Sequence, residues 1–239
     1  MKVAALFDVH GNLPALEAVL AEVERQNVDV VVFGGDLVWG PWPEETLRCA
    51  ESLQGRARFL HGNCETLVQI GASEGHRWAR DCLDESELAR IAAWPSTLVL
   101  DIAGLGPTLF CHATPGSEEK ILLPDSGHTA WSEALDGISE RTVVCGHTHL
   151  QFDRYVAGVR VVNPGSVGAP VDKAYAWWAV LGPDVELKAT GYDIEGAIDA
   201  ASQKLPTRHV HAFERRLRTP PTAEQRRAAL RISDARTDS

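Results

Sequence analysis

Val3-Ala4-Ala5-Leu6-Phe7-Asp8-Val9-His10-Gly11-Asn12-Leu13-Pro14 joins three signals near the amino terminus. A short apolar run reads as a buried strand, an Asp-x-His pair follows it directly, and Asn12 with Pro14 reads as the start of a helix. Leu16, Val19, Leu20 and Val23 then recur at helical spacing, and residues 28–33 form a second apolar run ending in Gly34-Gly35-Asp36. That is a βαβ unit, with two parallel strands whose carboxyl ends share one rim. A second helix is expected from Pro43 to about Leu53, feeding a strand at 57–60, and residues 64–94 read as helical.

After Pro95 the pattern turns to strands, at 97–102, 108–111, 142–145, 152–156, 159–162, 174–181 and 185–190, most of them bounded by Gly, Pro or Asp. Helices are expected at 194–205 and 222–232. A βαβαβ front half followed by a β-rich back half predicts one mixed α/β domain over residues 1–205, with two packed sheets covered by helices. Residues 206–239 form a basic extension that packs on the domain or trails from it.

The chain has 239 residues, 44% of them hydrophobic and 23% charged, which is globular usage and excludes a disordered chain. The five cysteines form no C-x-x-C pair and suit a reducing cytoplasm. No apolar run reaches the ~20 residues of a membrane span, so no membrane partner is expected. Net charge is −10, although residues 205–239 hold eight arginines against four acidic residues. An acidic body gives no counterion-release drive for binding duplexes, so nucleic acid is not an expected partner. The arginines of the extension, Arg215, Arg216, Arg218, Arg226, Arg227 and Arg231, read as a solvated helix face or a frayed terminus lying on that body. No feature of the sequence sets an oligomeric state.

The polar residues that stand out each follow an apolar strand. Besides Asp8/His10 and Asp36, they are His61-Gly62-Asn63, His112 and Gly146-His147-Thr148-His149. Ligands of an α/β sheet bind at the carboxyl ends of its strands. Imidazole and carboxylate donors suit divalent Mn, Fe, Zn, Ni or Co, and the set is too large for one ion.

The order of these motifs resembles the calcineurin-like metallophosphoesterases, whose pattern is D-x-H, G-D-x-x, G-N-H-[DE], a lone histidine and G-H-x-H. Here they read Asp8-Val9-His10, Gly35-Asp36-Leu37-Val38, Gly62-Asn63-Cys64-Glu65, His112 and Gly146-His147-Thr148-His149. The stretches 8–18 and Asn163-Pro164-Gly165-Ser166-Val167-Gly168 are similar to the small prokaryotic phosphodiesterase branch. The resemblance implies a β-sandwich flanked by helices and a centre with two divalent cations, manganese first among the candidates. One ion would be held by Asp8, His10 and His149, the other by Asn63, His112 and His147, with Asp36 bridging. Ions ~3.5–4 Å apart would clamp a phosphoryl group and activate a bridging water. Asp36, Asn63, Cys64 and His112 would then touch the reacting groups.

Cys64 departs from the pattern, standing where much of the family has a histidine that assists the leaving group. General-acid help is worth typically 10²–10⁴-fold, so aryl esters should serve better than alkyl esters. Glu65, which in the family pattern would orient that histidine, reads here as a helix cap or as a residue hydrogen-bonded behind the ligands. His61, His76 and His128 fall outside the motifs, and Lys120 reads as a surface residue. Trp39 and Trp42 are divided between a rim that stacks a base or aryl group and plain packing. Residues 115–135 are expected to form a flap over the cleft, with Asn163 and Ser166 supporting the rim. Cys111 and Cys145 read as small buried strand residues.

The expected activity is hydrolysis of phosphodiester bonds in small soluble molecules. Diesters are favoured over monoesters because no arginine adjoins the motifs. The reading from another class is a metal-bound, non-catalytic scaffold, a use the family has in a eukaryotic trafficking subunit. A nuclease would need a basic groove near 36–42 or 115–130.

Overall fold

The computed structural model describes residues 1–237. Its first apolar run is β1 (Val3–Leu6), followed by α1 (Leu13–Arg25), β2 (Val30–Phe33), α2 (Pro43–Glu51) and β3 (Ala57–Phe59). β1 pairs in parallel with β2, and β2 with β3, as the two apolar runs predict. Two later strands, β9 (Ala176–Leu181) and β10 (Val185–Thr190), complete this sheet on the other side of β1, in the order β10-β9-β1-β2-β3. The second sheet has the order β4-β5-β6-β8-β7, built from β4 (Thr97–Ile102), β5 (Gly106–Cys111), β6 (Thr142–Val144), β7 (Phe152–Val156) and β8 (Val159–Asn163). Within it β5, β6 and β8 run parallel.

β1 shows why the sheets stack. Side chains alternate across a strand, and both faces of this one are apolar. Val3 and Ala5 enter the layer between the sheets with Val32, Phe110, Val144, Val162, Ala179 and Leu181. Ala4 and Leu6 face the helical layer, where Leu16, Val19 and Val23 of α1 meet Val31, Phe33 and Trp178. The outer face of the second sheet takes α6 (His128–Ala134), whose Trp131 packs with Leu109, Cys111, Val143, Cys145 and Val161. At roughly 1.5–3 kcal/mol for each large apolar side chain fully buried, this layered core is the main drive to fold.

The helical stretch expected at 64–94 is three helices, α3 (Asn63–Ile70), α4 (Glu74–Asp81) and α5 (Glu85–Ala92). Gly71 ends the first in a left-handed conformation (φ 61°), and Ser73 caps the second. Asp84 and Glu87 cap the third reciprocally. At the carboxyl terminus, α7 (Ile194–Ser202) was expected, but α8 (Thr207–Arg218) was not. Phe213 and Leu217 of α8 pack on Trp42, Ala197, Ile198 and Ala201. α9 (Ala223–Thr237) inserts Leu230 among Leu123, Leu150 and Val171. Both helices of the extension lie on the sandwich. No helix among the described residues is long and apolar enough to cross a membrane.

Candidate metal centre

Parallel strands β1, β2 and β3 deliver Asp8/His10, Asp36 and Asn63 to one rim, and β5 and β6 deliver His112 and His147/His149 to the same place. Asp8 Oδ1, His10 Nε2 and His149 Nε2 converge: the nitrogens are 3.1 Å apart, and the oxygen is 3.9 Å from His10 and 3.3 Å from His149. Asp8, Asp36 and His112 form a second group whose donor atoms lie within 4.8 Å of one another, and His10, Asp36 and Cys64 form a third. Asn63 Oδ1 is 3.1 Å from His112 Nε2. His147 belongs to none of these groups, but its ring stands edge-on to His112 with centroids 5.3 Å apart, and it lines the cavity with His10, Asp36 and His149.

Asp36 faces both sides. Its Oδ2 is 3.9 Å from His10 Nε2, and its Oδ1 is 3.5 Å from His112 Nε2. The Cys64 backbone N–H donates to Oδ1 at 2.8 Å and fixes the carboxylate. Burial would raise the Asp36 pKa, but His112, His10 and the Cys64 bonds outweigh it and hold the group ionised. Asp8 is raised, chiefly by burial. Burial lowers His10 to about 3 and His147 to about 4, and takes His149 well below the usual histidine range, so these rings are neutral at pH 7. His112 differs: burial alone would lower it, but Asp36 and Asp8 leave it raised.

The donor set fits divalent cations. His149 Nδ1 donates to Ala169 O at 3.1 Å, and His112 Nδ1 to Gly34 O at 2.8 Å, so each ring turns its Nε2 to the centre, as a free lone pair on neutral His149 and as one that loss of a proton frees on His112. Asp8 Oδ1 is buried with no hydrogen-bond partner. A hydrogen bond between His10 and His149 leaves that oxygen orphaned, whereas a cation in the same space satisfies all three atoms.

The surrounding residues hold the loops. Glu65 is wholly buried and accepts N–H bonds from Asp36, Leu37 and Gly62, all at 2.8–2.9 Å. It therefore both caps α3 and ties two site loops. Burial and the Asp36 charge push it up to about 7, against the Asp36 and Leu37 N–H bonds and the His112 charge, which favour its ionised form. Asn163 donates to Gly146 O and Thr148 Oγ1, and Ser166 donates to Asp8 O, so both support the rim as expected. Gly168 has no room for a side chain: an added Cβ would stand 1.8 Å from Val9 O.

Cys64 is buried at the cavity wall, and burial with the Asp36 charge raises its thiol well above the ordinary value. It is a protonated thiol and not a nucleophile. Cys111 and Cys145 are buried strand-end residues. His61 binds Glu118, His76 binds Ser73, and neither they nor His128 joins a donor group among the described residues. The tryptophans divide: Trp42 is core beside Phe213, while Trp39 lines the cavity, edge-on to His10 at 5.5 Å.

Two expectations need correction. Residues 115–135 contribute nothing to the lining of the cavity of about 970 Å³ above these donors. Trp131 anchors that segment in the core through its indole N–H to Leu123 O, and Lys120 stays exposed. The carboxyl-terminal helices cover the cavity instead, with Arg215, Arg216 and Arg226 on its wall. Arginines therefore do adjoin the motifs. The run of basic residues was the only sequence signal for them, and it carried no indication of which ones turn inward.

Comparisons with known proteins agree with this architecture. The model of the calcineurin-like phosphoesterase superfamily domain matches residues 1–184. An uncharacterized protein of Methanocaldococcus jannaschii is 22% identical over 226 residues, covering 82% of this chain and 90% of its own. A hypothetical protein of Pyrococcus horikoshii superposes with a TM-score of 0.78 at 19% identity, over 89% of this chain and 97% of its own. A metallophosphoesterase of Sphaerobacter thermophilus gives 0.73 at 23%, over 89% and 98%. With its two mixed sheets, its rim of donors and a family match over most of its length, the chain belongs to the calcineurin-like phosphoesterase superfamily.

Proposed function

We propose that this chain is a dinuclear metal-dependent hydrolase of phosphoesters in small soluble molecules. The observation that carries the reading is Asp36, a carboxylate held ionised between two sets of donors, one oxygen toward His10 and the other toward His112. Asp8, His10 and His149 would hold one cation and Asn63, His112 and His147 the other, with Asp36 shared between them. Two such cations, when bound, supply Lewis acidity toward phosphoryl oxygens and a nucleophilic water at neutral pH. Histidine and carboxylate donors favour manganese, with iron, nickel, cobalt or zinc as alternatives.

The chain's own residues orient and hold. Asp36 is pinned by the Cys64 N–H, and its loop is pinned by Glu65. Cys64 offers only a weak S–H donor where the family pattern has a histidine, so leaving groups that need no proton are the better substrates. The preference for diesters loses its ground, because arginines line the cavity. Five free thiols accord with a cytoplasmic location.

The test is hydrolysis of bis(p-nitrophenyl) phosphate and p-nitrophenyl phosphate with Mn²⁺ or chelator, beside Asp36→Asn. Metal-dependent turnover of at least one ester is expected. The variant should lose at least about 10³-fold in kcat/KM and should bind less metal. An active Asp36→Asn enzyme refutes the assignment, and a metal-loaded wild type that cleaves neither ester moves the chain to the scaffold reading.

A further inference from the structure

Of the three arginines that line the cavity with the metal donors, Arg216 and Arg226 are half-buried and Arg215 is exposed, and the metal chemistry uses none of them. Arg226 of α9 is docked on the loop that bears two of the predicted ligands: its Nε donates to Thr148 O at 3.0 Å and its Nη2 to His147 O at 3.3 Å. Arg216 of α8 lies with its guanidinium carbon 5.7 Å from the Trp39 ring centroid, and Trp39 in turn stands against His10. The two arginines therefore reach the centre from its His147 side and from its His10 side. Both line the cavity and are half-buried.

Three other arginines of the extension are ion-paired, whereas Arg215 and Arg227, like this pair, have no ion pair among the described residues. Arg218 pairs with Glu195 and Glu214, Arg208 with Glu74, and Arg231 with Asp125. Arg216 has no hydrogen-bond or ion-pair partner among the described residues, and Arg226 meets only backbone carbonyls. Two guanidinium groups without a carboxylate in an ion pair, facing one cavity, repel each other and are costly to desolvate. An anion between them relieves both penalties, and the planar fork of arginine matches phosphate oxygens.

Charge selects the anion. A diester carries one negative charge, whereas a phosphomonoester carries about −1.5 to −2 at pH 7. We propose that Arg216 and Arg226 form an anion clamp, supplied by the carboxyl-terminal extension, that grips the non-bridging oxygens of the substrate phosphoryl group and makes phosphomonoesters the preferred substrate class. The proposal rests on the hydrolase reading. It joins residues 206–239 to the functional unit, since without them the cavity keeps its metal donors and loses its clamp.

Arg216→Gln is the decisive variant, because Arg216 makes no hydrogen bond to the protein and its loss leaves no backbone group unpaired. Arg226→Lys keeps the charge while removing the fork. In the full-length Mn²⁺-loaded protein, orthophosphate binding is read by calorimetry, the ratio of kcat/KM for p-nitrophenyl phosphate over its bis ester by kinetics, and folding by Tm. Wild type should favour the monoester. Arg216→Gln should weaken orthophosphate and lower the ratio, each by about tenfold or more. Arg226→Lys should move both the same way by less. Unchanged orthophosphate affinity, or an equal fall on both esters, overturns the clamp. A wild type that cleaves neither ester yet binds orthophosphate through Arg216 refutes the hydrolase and keeps the clamp. Metal-dependent turnover indifferent to Arg216 does the reverse.

Discussion

Asp8, His10, Asp36, His147 and His149 all have φ between 49° and 64°, a region that non-glycine residues rarely enter. They are five of the nine such residues in the described chain. Each costs on the order of 1 kcal/mol or more, and such strain persists only where the surroundings over-determine it. Here the surroundings are buried strands on one side and backbone bonds such as His10 N–H to Asp36 O on the other. The strain turns neighbouring side chains inward together, which regular strand geometry would not do. A consequence follows for protons. His10, His147 and His149 are neutral at pH 7, but the Asp36 and Asp8 charges raise His112 from its ordinary value against the effect of burial. A metal must displace the His112 proton to reach its Nε2, so cation affinity should rise with pH until pH passes that pKa. Calorimetric Mn²⁺ titrations at pH 6.5, in two buffers of different ionisation enthalpy, should show proton release on filling the site that takes His112, approaching one proton for that ion. No buffer dependence would refute the protonated His112.

At the scale of elements, the site is an agreement among loops. Glu65, at the start of α3, joins the β2 loop to the β3 loop through three N–H donors. Glu65→Gln keeps the shape but turns an amide N–H₂ toward at least one of those donors. A buried donor left without an acceptor costs roughly 1–3 kcal/mol. Urea unfolding of the metal-free variant should show a loss of about that size, with Mn²⁺ affinity falling as the Asp36 loop loosens. A loss in stability with unaltered metal binding would confine Glu65 to capping. This kind of element was partly legible in the sequence. Strand ends followed by Asp, Asn or His gave the rim, because apolar runs and the residues after them are local signals. The breaks at Gly71 and at Asp84-x-x-Glu87 were also written locally, as a left-handed glycine and a capping box, although apolar periodicity alone merged three helices into one. α8 was hidden for a different reason. Only Phe213 and Leu217 of its twelve residues are buried, too few to make a period, and their partners lie in α7 and at Trp42. That Arg216 is half-buried against Trp39 while Arg215 stays exposed and Arg218 pairs with Glu195 depends on how α8 seats there, a contact between residues far apart in sequence that no local pattern records.

The whole molecule sets a net charge of −10 against a cavity flanked by arginines. The acidic body repels polyanions, while Arg215, Arg216 and Arg226 gather at one cleft and offer a local site for a small anion. Loading the centre with two divalent cations deepens that contrast, since Asp8 and Asp36 offset only part of their charge. Low-dielectric walls focus such a field, so capture of a phosphomonoester should depend on ionic strength more steeply than capture of a diester. The expected result is a fall in kcat/KM for p-nitrophenyl phosphate as NaCl rises from about 0.02 to 0.5 M, where the Debye length shrinks from ~20 Å to ~4 Å. The bis ester should fall less, and Arg216→Gln should flatten the monoester curve toward it. Sodium nitrate in place of chloride separates screening from anion competition, because screening depends only on ionic strength. Parallel curves for the two esters would mean that the cavity's field does not discriminate by substrate charge, and selectivity would then have to come from contact geometry at the clamp alone.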